Sequence, residues 1–474
     1  MNLTQEQQAI ISCQADLITV NAFAGTGKTS TLEAFALAKP EKRMLYVAFN
    51  KAIQTEAERR VPGNVECRTT HSLAMRAVGK HYRHKLVEKL RLPAIISALN
   101  LPPDYQVAEA IHKTLIRFLA SDKQAAPEAV DPHANSAWLL AEYTNHLWAM
   151  MCDKNDDRIG MLHDGYLKLY QLSRPHLSYD YILFDEAQDA NPATTDILVN
   201  QACAKVFVGD RHQQIYQFRG AINAMNRLKG EQFYLTNSFR FGQRIADAGN
   251  RVLAAKNEPR QIKGLRGPGH IGEVNRKERY AIICRTNATV FEEAVSVHKY
   301  KKIHFMGGIA GYRFDRLEDG YHLQTGRLDL IKDNYIRSFG TFAELSRCVA
   351  ETEDPELRNL QRTVSEYGRQ IPALTRVIRE KAVDSSTEAD IIITTAHKAK
   401  GAEFTQVKLA EDFIDLADYD NMVESGKYKR QELEAELNLL YVAVTRAVKT
   451  LQPNSEFAAA LNGSLGLPGA RGCS

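Results

Sequence analysis

Two short strings in this chain bring together the residue types that phosphoryl chemistry uses. The first, Ala22-Phe23-Ala24-Gly25-Thr26-Gly27-Lys28-Thr29, follows an apolar run and opens a helical pattern, the context that a phosphate-cradling loop requires. Gly25 and Gly27 let backbone N–H groups of the Ala24 to Gly27 loop approach phosphate oxygens. Lys28 supplies a point charge to the β and γ phosphates, and Thr29 offers a hydroxyl to Mg2+. The second string, Tyr181-Ile182-Leu183-Phe184-Asp185-Glu186-Ala187-Gln188-Asp189, reads as an apolar strand that delivers adjacent carboxylates at its C-terminal end. Ligands of open α/β sheets bind at such ends. Asp185 can hold Mg2+ through water, and Glu186 can orient and deprotonate an attacking water.

These residues need a sheet to carry them. Short apolar runs rich in β-branched residues recur between amphipathic segments, at Leu17 to Ala22, Met44 to Phe49, Tyr181 to Asp185, Lys205 to Gly209, Tyr280 to Cys284 and Ile391 to Thr395. Strands alternating with helices imply parallel α/β sheets. They fall into two sets, each interrupted. The first domain takes residues 1–76 and 160–240, with a helical insert over 77–159. The second takes 241–302 and 386–455, with a reduced insert over 303–385. Residues 456–474 are left as a tail, mobile from Asn462. Trp138 to Met150 and Ile159 to Leu172 are spaced for buried helix faces, Ala120 to Asn135 and Gly264 to Gly272 read as loops, and Pro355 to Ala382 reads as helix.

Composition bounds the alternatives. At 474 residues, 44% hydrophobic and 25% charged, the chain reads as a globular protein of several domains. A formal charge of +4 does not announce a polyanion partner, so any nucleic-acid site must be local. The seven scattered cysteines form no C-x-x-C pair and fit free thiols in a reducing compartment. With no apolar run of membrane length and no signal-like N-terminus, a soluble, cytoplasmic protein is expected.

Further motifs follow in order: VFVGDRHQQIYQFRGA (Val206 to Ala221), LTNSFRF (Leu235 to Phe241), TTAHKAKGAEF (Thr394 to Phe404) and LNLLYVAVTRA (Leu437 to Ala447). With the two strings above, they resemble the superfamily 1 helicases of the UvrD/Rep/PcrA type. YVAFNKAIQTEAERR, TTHSLAMRAVG and SFRFGQRIA look most like the helicase core of the F-box DNA helicases, without the F-box. The resemblance runs from about Leu3 to Ala447. It implies an α/β fold of two RecA-like P-loop domains in tandem and ATP with Mg2+ as cofactors. By position, Gln7 matches an adenine-reading glutamine, Phe239 a base-stacking residue, Glu403 a ribose contact and Gln213 a γ-phosphate sensor. Arg240 and Arg446 match two arginines that approach that phosphate from the second domain, so that domain closure completes the site.

The same resemblance implies a nucleic-acid track: Phe49, Asn50, Lys51, Thr70, His71 and His397 at motif positions, with Tyr216, Phe218 and Arg219 stacking on or contacting the strand. Phe218 stands where many relatives carry Trp, Arg211-His212 replaces an acidic pair, and Ala402 replaces a usual Leu. The basic segment Gly79 to Leu92 fits either contact with duplex phosphates or a solvated helix face. Three functions remain open. The first is a 3′-to-5′ DNA translocase and helicase of repair, recombination or replication, monomeric, acting on single-stranded DNA and junctions beside proteins of those pathways. The second is a remodeller that strips proteins from single strands. The third is a nucleotide-switched binding module, against which the full set of Glu186, Gln213, Arg240 and Arg446 argues.

Overall fold

The computed structural model describes residues 3–102, 105–134, 136–215, 228–299, 301–352, 355–426 and 429–462. The chain divides into two compact units at Asn237/Ser238, close to the expected boundary after residue 240.

In the first unit, six parallel strands form one sheet: β1 (Leu17–Ala22), β2 (Met44–Ala48), β3 (Val65–Thr69), β4 (Tyr181–Phe184), β5 (Ala204–Gly209) and β6 (Glu231–Leu235), in the order β3-β2-β4-β5-β1-β6. Strand β2 is buried at every residue, as expected for a parallel strand covered on both faces. Its side chains alternate: Met44, Tyr46 and Ala48 join one core with Leu32 and Phe35 of helix Lys28–Leu37, while Leu45 and Val47 join the core that continues into the helical insert.

The insert is built on helices Tyr105–Ala120 and Ala137–Cys152, packed beside helix His163–Leu172. The segment Trp138 to Met150, expected to bury one helix face, lies in Ala137–Cys152 and buries Leu147 and Met150, while Trp138 itself is 71% exposed. One expectation is corrected here. The basic segment is not one helix face, because Gly79–Lys85 forms a 3-10 helix that turns Tyr82 and Lys85 inward. Lys85 Nζ donates to the carbonyls of Met150, Asp153 and Asp156 at 3.1, 2.7 and 2.5 Å, tying the segment to the C-terminal end of the neighbouring helix.

The second unit carries another six-stranded parallel sheet: β7 (His270–Ile271), β8 (Tyr280–Cys284), β9 (Ile303–Phe305), β10 (Ile391–Thr395), β11 (Phe404–Leu409) and β12 (Ala447–Gln452), ordered β7-β12-β11-β8-β10-β9. Ile303–Phe305, expected to open the second insert, is the edge strand of this sheet. The insert beyond it is helical, with Phe314–Gln324, Pro355–Tyr367 and Ile371–Lys381 sharing one core with β9 and β10. No helix among the described residues is long and apolar enough to cross a membrane.

Candidate nucleotide and nucleic-acid sites

Because all six strands of the first sheet are parallel, their C-terminal ends share one edge, and the candidate residues sit along it in a definite order. Across the edge come Thr70 and His71 after β3, Phe49 to Lys51 after β2, Asp185 and Glu186 after β4, Asp210 to Gln213 after β5, and the glycine loop after β1.

In that loop Gly25 and Gly27 have φ of 73° and 80°, left-handed values that a glycine adopts without a Cβ penalty. Thr26 is buried and donates from Oγ1 to the Phe23 carbonyl at 2.8 Å, closing the turn before helix Lys28–Leu37. Lys28 Nζ pairs with Glu186 Oε1 at 2.8 Å. Burial works against its charge, yet the carboxylates of Glu186, Asp210 and Asp185 outweigh that cost and hold its pKa above the ordinary lysine value.

Asp185 is 2% exposed. Its Oδ2 accepts hydrogen bonds from Thr29 Oγ1 at 2.8 Å and Tyr46 Oη at 2.6 Å, and its Oδ1 accepts from Glu186 N at 2.9 Å. Burial and the adjacent Glu186 carboxylate push its pKa up, against Lys28, Tyr46 and Thr29, which favour the ionised form. Glu186 has φ 54°, an uncommon conformation outside glycine. Gln188 connects the groups: its amide donates to Glu186 Oε2 and accepts from Asp210 N at 3.0 Å, while Gln213 Nε2 donates to Asp210 Oδ2 at 2.5 Å. The acid after β4 and the sensor candidate after β5 therefore share one hydrogen-bonded chain. Tyr46 and Gln188 were not singled out from sequence; an isolated Tyr in an apolar strand is the one signal that could have found the former.

Gln7, also buried, accepts from Thr4 N and donates to Thr31 Oγ1, both at 3.0 Å, so its amide ties helix Gln5–Ser12 to helix Lys28–Leu37. Asn50 caps helix Lys51–Glu58 through Ile53 N, with Asn50 and Lys51 exposed. Thr70 is buried, and His71 Nε2 lies 3.0 Å from Asp164 Oδ1. Tyr216, Phe218 and Arg219 lie outside the described residues.

In the second unit the candidates separate to opposite edges of the sheet. Arg240 Nε donates to Glu403 Oε1 at 2.8 Å and its Nη1 to the Thr445 carbonyl at 3.0 Å, at the N-terminal ends of β11 and β12. Arg446 is buried there, donating to the carbonyls of Val442 and Ala402 at 3.0 and 3.2 Å. Phe239 is 42% exposed. His397 follows the C-terminal end of β10, where a cavity of about 470 Å3 is lined by Arg285, Asn287, Tyr312, Arg313, His397 and Lys398. Lys398 Nζ is buried 3.5 Å from the centre of the Tyr312 ring without a hydrogen-bond partner among the described residues, and burial lowers its pKa. Sequence reasoning named only His397 from this group.

Thr29 and Asp185 are hard oxygen donors, the set that suits Mg2+. Among the described residues no group of three or more His, Cys, Asp or Glu side chains gathers as a separate metal site.

Comparison with known proteins places these sites in a family context. The family model of the UvrD/REP helicase N-terminal domain matches residues 87–233, and that of the UvrD-like helicase C-terminal domain matches residues 313–452; together they span more than half of the chain. F-box DNA helicase 1 of Gallus gallus is 34% identical over 95% of this chain and 49% of its own length. F-box DNA helicase protein 1 of Schizosaccharomyces pombe is 33% identical over 95% of this chain and 57% of its own. A probable DNA helicase of Mycoplasma pneumoniae is 26% identical over 95% of this chain and 82% of its own. The chain thus spans about half the length of the F-box relatives it matches.

Proposed function

The chain belongs to the UvrD/REP helicase family, and we propose that it is an ATP-driven motor that moves 3′ to 5′ along single-stranded DNA and separates strands at junctions. The observation that carries this reading is the shared edge of the first sheet. Asp185 and Glu186 follow β4, and the exposed Asn50 and Lys51 follow β2, its hydrogen-bonded neighbour. This adjacency supports a motor in which phosphate occupancy at one strand end is coupled to the nucleic-acid strand at the next.

In this reading Lys28 and the amides of Ala24 to Gly27 cradle the phosphates, Thr29 and Asp185 hold Mg2+, and Gln213 senses the γ-phosphate. Mg2+, when bound, neutralises the charge that develops on the transferred phosphoryl group. Glu186 accepts the proton of the attacking water once nucleotide draws Lys28 away from it. Phe239 and Gln7 recognise adenine and Glu403 the ribose. Arg240 and Arg446 supply positive charge in the closed state, Arg446 after leaving the carbonyls that hold it. Phe49, Asn50, Lys51, Thr70, His71 and His397 line the DNA track, with Tyr216, Phe218 and Arg219 on its bases. In this reading the motor works in the cytoplasm, nucleoid-associated if the protein is bacterial, as a monomer beside repair, recombination or replication proteins.

ATP turnover measured with single-stranded DNA, with single-stranded RNA and with neither tests this. Strong stimulation by DNA is expected. Turnover indifferent to nucleic acid would leave a nucleotide-switched module as the better description.

A further inference from the structure

We propose that Tyr46 is a positioning residue for the metal-holding carboxylate: its hydroxyl, donated to Asp185 Oδ2, fixes the orientation in which that side chain receives Mg2+. The inference rests on the nucleotide-site reading above and adds to it a residue from a strand that carries no nucleotide motif.

Two observations support it. The first is location. Tyr46 is the middle residue of β2, fully buried, in register with Cys67 of β3 and Leu183 of β4. Its face of the strand is otherwise apolar, with Met44 and Ala48 on β2, Leu183 beside them and Leu32 and Phe35 of the helix after the glycine loop in the same core. Packing alone would be satisfied by Phe. A phenol in this setting must give its polar end a partner, and it donates to Asp185 Oδ2 at 2.6 Å, beside the Thr29 hydroxyl.

The second is the geometry at the carboxylate. Oδ1 is held by Glu186 N, and Oδ2 by both Tyr46 and Thr29. In the nucleotide-site reading the Thr29 hydroxyl would also offer its oxygen to Mg2+. Tyr46, fully buried, reaches Oδ2 from within the sheet.

A phenol hydroxyl is a donor to a carboxylate. A donor to a metal-holding carboxylate sets ligand orientation, and loss of such a partner typically lowers metal affinity ~10–100-fold.

The test is Tyr46→Phe, which keeps the ring and removes the hydroxyl. Nucleotide affinity of the full chain is measured with a fluorescent ATP analogue in EDTA and across a Mg2+ titration, beside Mg2+ dependence of ATPase and melting temperature. The expected result is unchanged affinity in EDTA and a Mg2+ midpoint raised about tenfold or more in both binding and turnover. Saturating Mg2+ should restore most of the rate. An unchanged Mg2+ midpoint overturns the proposal. So does an equal loss of affinity with and without Mg2+, or unfolding of the variant, because either makes Tyr46 a packing residue. If wild-type protein shows no Mg2+-dependent nucleotide binding, the nucleotide-site reading itself fails, a result separate from any difference between wild type and variant.

Discussion

Glu186 occupies left-handed backbone at φ 54°, a conformation that costs a non-glycine residue about 1–3 kcal/mol and persists only where its surroundings impose it. Here Asp185 Oδ1 receives its N–H, Lys28 takes one carboxylate oxygen and Gln188 the other. Glu186→Gln preserves the side chain's shape and removes the base. Turnover should fall ~100- to 10,000-fold while Mg2+-nucleotide affinity stays within a few-fold, as single-turnover rates and nucleotide titrations would show. A variant that loses affinity and keeps its turnover would make Glu186 a structural residue. Lys28, Thr29, Asp185 and Glu186 were legible in the sequence because the backbone they need is encoded next to them, in glycines or in the apolar strand before the acids. Tyr46 and Gln188 were not, because their partners lie 139 and 22 residues away along the chain. Only the strand order brings those partners within reach.

At the scale of elements, the strands with continuous apolar runs were read nearly to the residue, Leu17–Ala22, Tyr280–Cys284 and Ile391–Thr395 among them. Edge strands were harder. Glu231–Leu235 and Ile303–Phe305 are short or part-exposed and lack the double burial that produces such a run. The helical insert hides its anchors for a different reason: a lysine reads as surface, yet Lys168 is fully buried and donates to the carbonyls of Ser121 and Lys123. Burial lowers its pKa from 10.5 to about 8. Between those values the unfolded chain binds more protons than the folded one, so stability rises with pH through that window. The slope contributed by this group is at most about 1.4 kcal/mol per pH unit. Urea unfolding of wild type and Lys168→Met at about pH 7.5 and 9.5, either side of the folded-state value, checks this. The difference between the two proteins should shift in favour of wild type at the higher pH, and a constant difference would mean that Lys168 titrates as an ordinary lysine.

For the whole molecule, the sequence disclosed two α/β units and the order of their motifs, and the sheets explain that order: parallel strands gather distant segments along common edges. The proposed track was less legible. His397 was named alone, whereas Arg285 and Asn287, which line the same cavity, come from a distant stretch that the second sheet brings beside it. Hydrolysis, a strand track and repeated directional steps are three separable claims, and only the last distinguishes a motor from a switch. Translocation kinetics test it most directly. Protein is preloaded on single-stranded DNA of several lengths with a fluorophore at the 5′ end, ATP is added with a trap for free protein, and the time to reach the fluorophore is recorded. An arrival signal whose delay lengthens in proportion to DNA length, and that is absent with Lys28→Ala, is the predicted result. A signal whose timing is independent of length, or the same delay with the fluorophore at the 3′ end alone, would contradict it.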